Sequence, residues 1–348
     1  MSKKLSIIVP VYNMAAEGKL NYCLDSLVGQ TIRGLYDYEI LCVDDASTDD
    51  SLEILLDYEK RYPELVRILP NRVNLRQGGA KNEALKVAEG EWIGFIDSDD
   101  WITPDMYERL LACAQETGAD MVGCDYCLTD EHSMKVGQVV HNNRPEQTGI
   151  LNHDKYASLI LDSGSLVVKI YRREIILGCD SRFPEGIFYE DNALGNTWML
   201  RAKHFEYIPE PMYYYYQHDA STVHTITKKR CEDRMQAGRI MIAEAKKYGY
   251  FEEYKSELEF SFTVLFYVNT LFSYMFGVKK KEPAFVEAMG REMRETFPDF
   301  QENPRYQERF NGEEKKLVEM QQKSTKRFML YFTLLWTWRN LRKRLHGA

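Results

Sequence analysis

Short apolar runs alternate with longer amphipathic segments over residues 5–124. The apolar runs predict buried strands, and apolar residues spaced three and four positions apart in the intervening segments predict helices. Strands are predicted at residues 5–9, where Pro10 ends the run, and at 38–43, 65–69, 92–96 and 120–124. Helices are predicted at residues 18–30, 48–60, 78–89 and 104–117. This alternation is typical of βαβ units and of an α/β fold with a doubly wound, mostly parallel sheet.

The pattern changes along the rest of the chain. Residues 128–153 are polar and predict loops with short strands, residues 154–216 alternate helix and strand again, and a helical, aromatic-rich pattern begins at Lys228. We therefore expect one domain over residues 1–225, in two halves at 1–118 and 119–225. A helical region over residues 226–348 follows, and it includes a basic amphipathic tail at 323–348.

Polar residues directly follow three of the first four predicted strands. They are Tyr12-Asn13, Asp44-Asp45 and Asp97-Ser98-Asp99. Parallel sheets of this kind bind ligands beyond the carboxyl ends of their strands. We expect these side chains to share one crevice.

The sharpest feature is the acidic cluster at Asp97, Asp99 and Asp100, which follows the apolar run 92–96. Crowded carboxylates repel one another, so something must compensate their charge. A solvated turn with a helix cap is one explanation, and Asp100 is suited to cap the helix after Trp101. A divalent cation is the other, because Mg²⁺ and Mn²⁺ prefer carboxylate oxygens. Asp97 and Asp99 point the same way if the segment is extended, which favours the cation.

Composition excludes several classes of protein. The 348 residues are 44% hydrophobic and 28% charged, as in a globular protein, and the net charge of −8 argues against nucleic-acid binding. Seven scattered Cys favour a reducing compartment, and Cys124 and Cys127 are expected to be ordinary buried residues. The first apolar run is too short for a signal peptide. No segment is expected to reach the roughly 18 apolar residues of a membrane span.

Charge is uneven along the chain. Seven Lys or Arg and no acidic residue follow Glu319, and without those seven the chain has 38 basic against 53 acidic side chains, a net charge of −15. Basic clusters flank the apolar residues 328–338, which are too few to span a bilayer. Two interpretations are open: an interfacial helix on an anionic membrane, or a helix packed on this protein or a partner.

Six stretches of the chain carry a family resemblance. They read SIIVPVYN (6–13), LDSLVGQT (24–31), YEILCVDDASTDDS (38–51), GEWIGFIDSDDWITPDMYERL (90–110), FPEGIFYEDN (183–192) and PMYYYYQHDAST (211–222). Together they resemble the family 2 glycosyltransferases, which have the GT-A fold. The resemblance extends over about two thirds of the chain, and none of it lies in the helical region.

The resemblance implies an inverting glycosyltransferase that uses a nucleotide-sugar donor, usually a UDP-sugar. Residues 1–118 would bind the nucleotide and residues 119–225 the acceptor. Asp97-Ser98-Asp99 looks like the DxD motif of the family, with Asp99 as the main ligand of Mg²⁺ or Mn²⁺. Tyr12 would stack on the base and Asp45 would accept its ring N–H, whereas Asp44 serves the turn. The full set implied for the nucleotide sugar is Pro10, Tyr12, Asn13, Asp45, Asn74, Gly79, Lys81, Asp97 and Ser98.

The same resemblance suggests the chemistry. Glu190 and Asp191 match the ED motif, which makes Asp191 the catalytic base and leaves Glu190 to orient it or to contact acceptor. Capping of the following helix is the alternative for this pair. Lys81 stands at the basic position of an N-x-G-x-x-x-A-R-N-like stretch. It would either reach the diphosphate or be a solvated charge in the first turn of a helix.

The chain also departs from the family pattern. Where the family often has Arg after the Tyr-rich strand, this sequence has Gln217 and His218, so His218 is a candidate for a metal or diphosphate contact. Ser221 and Thr222 match a loop that closes over the donor. The acceptor is expected to be a saccharide or lipid-linked saccharide, and the location cytoplasmic, with peripheral membrane contact through 323–348. A degenerate member that only binds nucleotide-sugar or a partner is the alternative function.

Overall fold

A mixed sheet lies at the centre of the first of two units into which the chain divides. The structure, a computed structural model, describes residues 3–217 and 226–346. The first unit comprises Met1–His224 with Ala243–Tyr248, and the second comprises Thr225–Ile242 with Gly249–Ala348.

The sheet has ten strands among the described residues, in the order β3-β2-β1-β4-β9-β6-β10-β5, with β7 on β6 and β8 on β10. The pairs β3-β2, β2-β1, β1-β4 and β6-β10 are parallel, and the other pairs are antiparallel. The strands are β1 Leu5–Val11, β2 Tyr38–Asp44, β3 Val66–Pro70, β4 Trp92–Phe95, β5 Trp101–Ile102, β6 Met121–Thr129, β7 Gln138–Val140, β8 Gly149–Ile150, β9 Lys169–Arg172 and β10 His204–Tyr216.

Helices flank this sheet. They are α1 Lys19–Val28, α2 Ser51–Arg61, α3 Arg76–Leu85, α4 Met106–Thr117, α5 His153–Leu161, α6 Arg173–Leu177 and α7 Glu190–Met199. Every residue of β1 and β2 is buried, and α1 buries the apolar face that includes Leu20, Leu24 and Leu27 against the same core. The predicted GT-A class, a doubly wound and mostly parallel sheet followed by a helical region, is confirmed.

Two predicted boundaries were wrong for physical reasons. β1 continues through Pro10 to Val11. Its pairing with β4 ends at Ile8, so at Pro10 only β2 is paired with β1, and the missing N–H of proline is tolerated there. Gly90 does not end α3, which stops at Leu85. A Cβ at Gly90 would lie 2.4 Å from the backbone nitrogen of Ser6, so glycine is required where the chain enters β4.

The second unit is helical. Its helices are α8 Lys228–Lys247, α9 Lys255–Phe262, α10 Asn269–Gly277, α11 Pro283–Thr296, α12 Pro304–Arg309, α13 Gly312–Lys323 and α14 Thr325–His346, with a π-helical turn at Thr263–Val268. The last turn of α8, from Ala243, belongs to the first unit. Buried Gln321 on α13 accepts from the Tyr267 hydroxyl and donates to the carbonyl of Val286 on α11. A Cβ at Gly290 would lie 2.4 Å from the Gln321 amide, so this position keeps α11 close to α13.

One helix of this unit meets the length and composition of a membrane span. Residues 255–277 form a continuous helix of 23 residues, so the expectation that no segment is long and apolar enough was wrong. More than half of its most apolar window, 56%, is buried within the fold, which is typical of the core helix of a soluble protein.

A lysine is buried in β9. Lys169 Nζ donates to the backbone carbonyls of Ser163 and Ser165 at 2.9 and 2.8 Å, and burial lowers its pKa to about 7. The unfolded chain keeps an ordinary lysine pKa near 10.4. Between these values the unfolded chain binds more protons than the folded one, so stability must rise with pH.

We predict that the free energy of unfolding of the wild type gains about 2 kcal/mol over the Lys169→Met variant between pH 7 and pH 9. Urea unfolding at the two pH values measures the difference. Lys203→Met, at an exposed position in the same unit, is the control and should follow the wild type. A difference that does not change with pH would mean that Lys169 keeps its proton.

Candidate functional site

The three polar strand ends lie side by side. β2, β1 and β4 are parallel neighbours, so Asp44-Asp45, Tyr12-Asn13 and the turn after β4 lie at one edge of the sheet, as predicted. Tyr12 is 44% exposed, and an exposed ring at this edge is available to a ligand.

Asn13 joins the loop after β1 to the loop after β2. Its backbone N–H donates to Ser47 Oγ at 3.1 Å, and its side-chain oxygen accepts from the Thr48 N–H at 2.8 Å. Asn13 and Ala46 both adopt positive φ, at 54° and 60°, which is rare outside glycine. Strained backbone of this kind concentrates at functional sites.

Asp44 and Asp45 are both buried but have different partners. Asp45 Oδ1 accepts from the Asn71 side chain at 2.8 Å and from the Leu75 N–H at 2.9 Å, so it organises the loop that leads to α3. Asp44 Oδ2 accepts from the Ser47 N–H at 3.3 Å, in agreement with a turn role. Contact between Asp45 and a base stays a prediction.

The acidic cluster forms a turn rather than an extended segment. The N–H of Asp100 donates to the carbonyl of Asp97 at 3.1 Å, so the extended geometry assumed for Asp97 and Asp99 was wrong. The turn still separates the cluster into two pairs, because Asp97 and Asp99 are half-buried whereas Ser98 and Asp100 are buried.

Asp100 does not cap the helix after Trp101. Its carboxylate accepts from the Tyr213 hydroxyl and, at 2.8 Å, from the Tyr216 N–H, so it ties the turn to β10. The Tyr213 hydroxyl also accepts from the Asp97 N–H at 3.3 Å. Burial, together with the carboxylates of Asp99 and Asp97, raises the pKa of Asp100.

Lys81 lies in a buried ion pair. Its Nζ is 2.8 Å from Glu190 Oε1, and both side chains are almost fully buried. The solvated-charge interpretation of Lys81 was therefore wrong, and Glu190 is not exposed to an acceptor. Burial lowers the pKa of Lys81, but the surrounding carboxylates outweigh burial and raise it. Those carboxylates are Glu190, Asp97 and Asp191.

Small residues of α3 allow segment 183–190 to approach closely. A Cβ at Gly78 would lie 2.4 Å from the carbonyl oxygen of Pro184, and a Cβ at Gly79 would lie 2.3 Å from Leu75 Cβ. The Asn82 side chain donates to the Phe183 carbonyl at 2.9 Å and accepts from its N–H at 3.0 Å. Gly78 thus shapes the segment that precedes Asp191, whereas the donor contact implied for Gly79 stays a prediction.

Asp191 lies in the first turn of α7. The turn begins after Tyr189, whose φ of 67° is a further strained position at this site. Asp191 Oδ1 accepts from the Asn192 N–H at 2.8 Å. Burial and the Glu190 carboxylate raise the pKa of Asp191, and Lys81 opposes them. A carboxylate with a raised pKa is suited to accept a proton near neutral pH.

The oxygen ligands fit a cation that is shared with phosphate groups. Among residues 3–217 and 226–346, no three His, Cys, Asp or Glu side chains converge in an arrangement that could hold a metal by themselves. Asp97 and Asp99 offer two half-buried carboxylates, and Mg²⁺ commonly uses one or two carboxylates plus substrate phosphates. Burial and the nearby carboxylates raise the pKa of Asp97 to about 6, although Lys81 opposes this shift.

Three residues that shape the site were not predicted from the sequence. Gln77 Nε2 donates to Asp97 Oδ1 at 3.4 Å, Tyr213 holds the acidic turn, and Asn82 fixes segment 183–190. Their partners are 20, 113 and 101 residues away along the chain, so no local pattern could reveal them.

Some of the predicted site residues take no part in the hydrogen bonds and the ion pair described above. Asn74 is exposed, and its side chain accepts from the Arg76 N–H at 3.1 Å. His218, Ser221 and Thr222 lie outside the described residues.

Known proteins resemble this chain in sequence. Residues 6–175 match the family model described as Glycosyl transferase family 2. The uncharacterized glycosyltransferase YibD of Escherichia coli (strain K12) is 32% identical over 63% of this chain and 63% of its own length. EpsH of Bacillus subtilis (strain 168), provisionally named a glycosyltransferase, is 30% identical over 75% of this chain and 74% of its own length.

A solved structure resembles it in fold. The crystal structure of S. aureus TarS 1–349 in complex with UDP-GlcNAc superimposes with a TM-score of 0.66 at 24% identity, covering 97% of this chain and 92% of that chain. This chain spans less than two thirds of the length of the first curated relatives that it matches, for example 63% of YibD.

We predict that Lys81→Met destabilises the protein by about 3–5 kcal/mol, because it leaves the Glu190 carboxylate buried without a counter-charge. The double variant Lys81→Met/Glu190→Met should recover most of this loss. Lys86→Met, at an exposed position next to α3, should change stability by less than about 0.5 kcal/mol. Denaturant unfolding measures all three. Equal losses in the single and double variants would argue against a coupled pair.

Proposed function

Because the chain belongs to the family 2 glycosyltransferases, we propose that it transfers a sugar from a UDP-sugar to a hydroxyl of a saccharide or lipid-linked saccharide, with inversion. One observation carries the proposal. The turn with Asp97 and the first turn of α7 with Asp191 are joined through the buried Lys81–Glu190 pair, so that a candidate leaving-group site and a candidate base act within one electrostatic cluster.

Inverting transfer is a single displacement. The acceptor oxygen bonds to the anomeric carbon, the bond from that carbon to the diphosphate oxygen breaks, and the acceptor proton goes to a carboxylate. We assign that proton to Asp191. Its raised pKa and its half-buried position support this role. Glu190 acts as a positioning residue, since its partner is Lys81 and not Asp191.

We further propose that Asp97 and Asp99 hold Mg²⁺ or Mn²⁺ together with the donor. Such an ion neutralises negative charge on the leaving diphosphate. Burial, together with the neighbouring carboxylates, raises the pKa of Asp97, and a divalent cation bound there would oppose that shift. The Tyr213–Asp100 contact keeps the turn in place. His218 remains a candidate ligand outside the described residues.

Two considerations support the choice of donor and acceptor. The structural neighbour TarS is described in complex with UDP-GlcNAc, which favours a uridine nucleotide at the edge that carries Tyr12, Asn13 and Asp45. Two relatives are named as poly(ribitol-phosphate) glycosyltransferases, of Bacillus spizizenii and Staphylococcus aureus. A hydroxyl of a saccharide or polyol phosphate polymer is therefore the acceptor class to test first.

We predict that calorimetry will detect binding of UDP in the presence of Mn²⁺ and much weaker binding with a chelator. A panel of UDP-sugars, followed by detection of released UDP, then identifies the donor. The absence of UDP binding under both conditions would contradict the proposed donor class. Binding without turnover on any saccharide or polyol acceptor would favour the non-catalytic alternative, a nucleotide-sugar binding protein.

We predict that Asp191→Asn and Asp99→Asn fail in different ways. Asp191→Asn should bind UDP with Mn²⁺ normally and lose about 10²–10⁴-fold in turnover, because only the proton acceptor is removed. Asp99→Asn should lose the Mn²⁺-dependent part of UDP binding. Asp105→Asn, a half-buried Asp ahead of α4, is the matched control and should keep both properties. Normal turnover in Asp191→Asn would refute its assignment as the base.

A further inference from the structure

Helix α14 presents apolar side chains on two opposite faces. On one face, Phe328 and Phe332 are buried, and the Trp336 ring lies 4.8 Å from the Phe276 ring. On the other face, four large apolar side chains are exposed to solvent. They form the apolar stripe: Leu330 (64% exposed), Leu334 (62%), Trp338 (55%) and Leu341 (52%).

The apolar stripe is continuous. At 100° per residue, its four members fall within a sector of about 80° that faces away from Phe332. At 1.5 Å per residue, it is about 16 Å long. Scattered exposed apolar residues need no explanation, whereas a contiguous apolar face on a soluble protein marks an interaction site.

Basic side chains border the stripe. Lys326 and Arg342 fall at its two edges on the helical wheel, Arg327 lies near its beginning, and all three are exposed. The Arg342 guanidinium lies 5.5 Å from the centre of the Trp338 ring. The nearest acidic residue in sequence, Glu319, forms an ion pair with Lys323 in the preceding helix, and no acidic residue follows Glu319.

We propose that the apolar stripe docks on an anionic lipid surface, with α14 lying parallel to the membrane plane. An apolar face edged by Lys and Arg is the pattern of interfacial helices, and Trp is favoured at the boundary between headgroups and acyl chains. The helix does not cross the bilayer, because its other face is packed against aromatic residues of its own unit.

Charge argues against a second copy of this chain as the occupant. If two stripes paired, Lys326, Arg327 and Arg342 of one chain would lie near the same residues of the other in either orientation. Like charges brought together across an interface oppose binding. An anionic surface instead complements all three, and each adds to the attraction.

The proposal is tested by co-sedimentation of the 348-residue chain with vesicles of phosphatidylcholine alone or with about one third phosphatidylglycerol. We expect binding to the anionic vesicles that weakens as salt is added, and much less binding to the neutral ones. Leu334→Glu/Trp338→Glu should reduce binding to the anionic vesicles at least tenfold. Asn340→Glu adds a charge to an exposed position of the same helix away from the stripe, and it should retain most of the binding.

The charge contribution has its own control. Lys326→Gln and Arg342→Gln should each weaken vesicle binding about fivefold. Lys60→Gln, at an exposed position on α2, removes the same charge elsewhere and should have no such effect. Unfolding midpoints of all variants should match the wild type, since the altered side chains are exposed.

Three outcomes would overturn the proposal. The first is that the wild type does not sediment with anionic vesicles at low salt. The second is that the Leu334→Glu/Trp338→Glu variant binds these vesicles as well as the wild type does. The third is that sedimentation velocity without lipid detects an oligomer that Leu334→Glu/Trp338→Glu dissociates. That result would assign the stripe to a second copy of the chain.

Discussion

The buried pair of Lys81 and Glu190 is the interaction on which the candidate site depends. It places one positive charge among carboxylates that come from two distant parts of the chain, the turn after β4 and the beginning of α7. Without Lys81, those carboxylates would repel one another in a region that is only partly open to water. The pair thus allows a cluster of acidic groups to persist at the edge of the sheet before any ligand binds.

The pair requires close packing around it. Gly78 lets the backbone of Pro184 approach α3, and the two hydrogen bonds between Asn82 and Phe183 hold that approach. Tyr189 then turns the chain into α7 with a positive φ. Helix α3 therefore supports the segment that brings Asp191 to the strand ends.

The second unit has an aromatic core. Its aromatic side chains pack among themselves, as the stacked rings of Phe262 and Phe266, 4.5 Å apart, illustrate. Helix α14 takes part in that core with one face and leaves an apolar face in water. Of the two interpretations of the tail that the sequence left open, packing on the protein applies to one face of the helix, and contact with a lipid surface is our proposal for the other.

Apart from the two-residue strand β5, which was not predicted, the order of strands and helices over the first 124 residues followed from sequence. The meeting of three polar strand ends followed as well, because hydrophobic periodicity is a local property and the rules of parallel sheets are general. The Asp97–Asp99 motif was also visible in sequence. The roles of Lys81, Asp100 and Gln77 were not, because the burial and the partners of a side chain depend on residues far away along the chain. Which face of α14 is packed was likewise decided only by the tertiary structure, since apolar residues occur on both faces and hydrophobicity alone does not select between them.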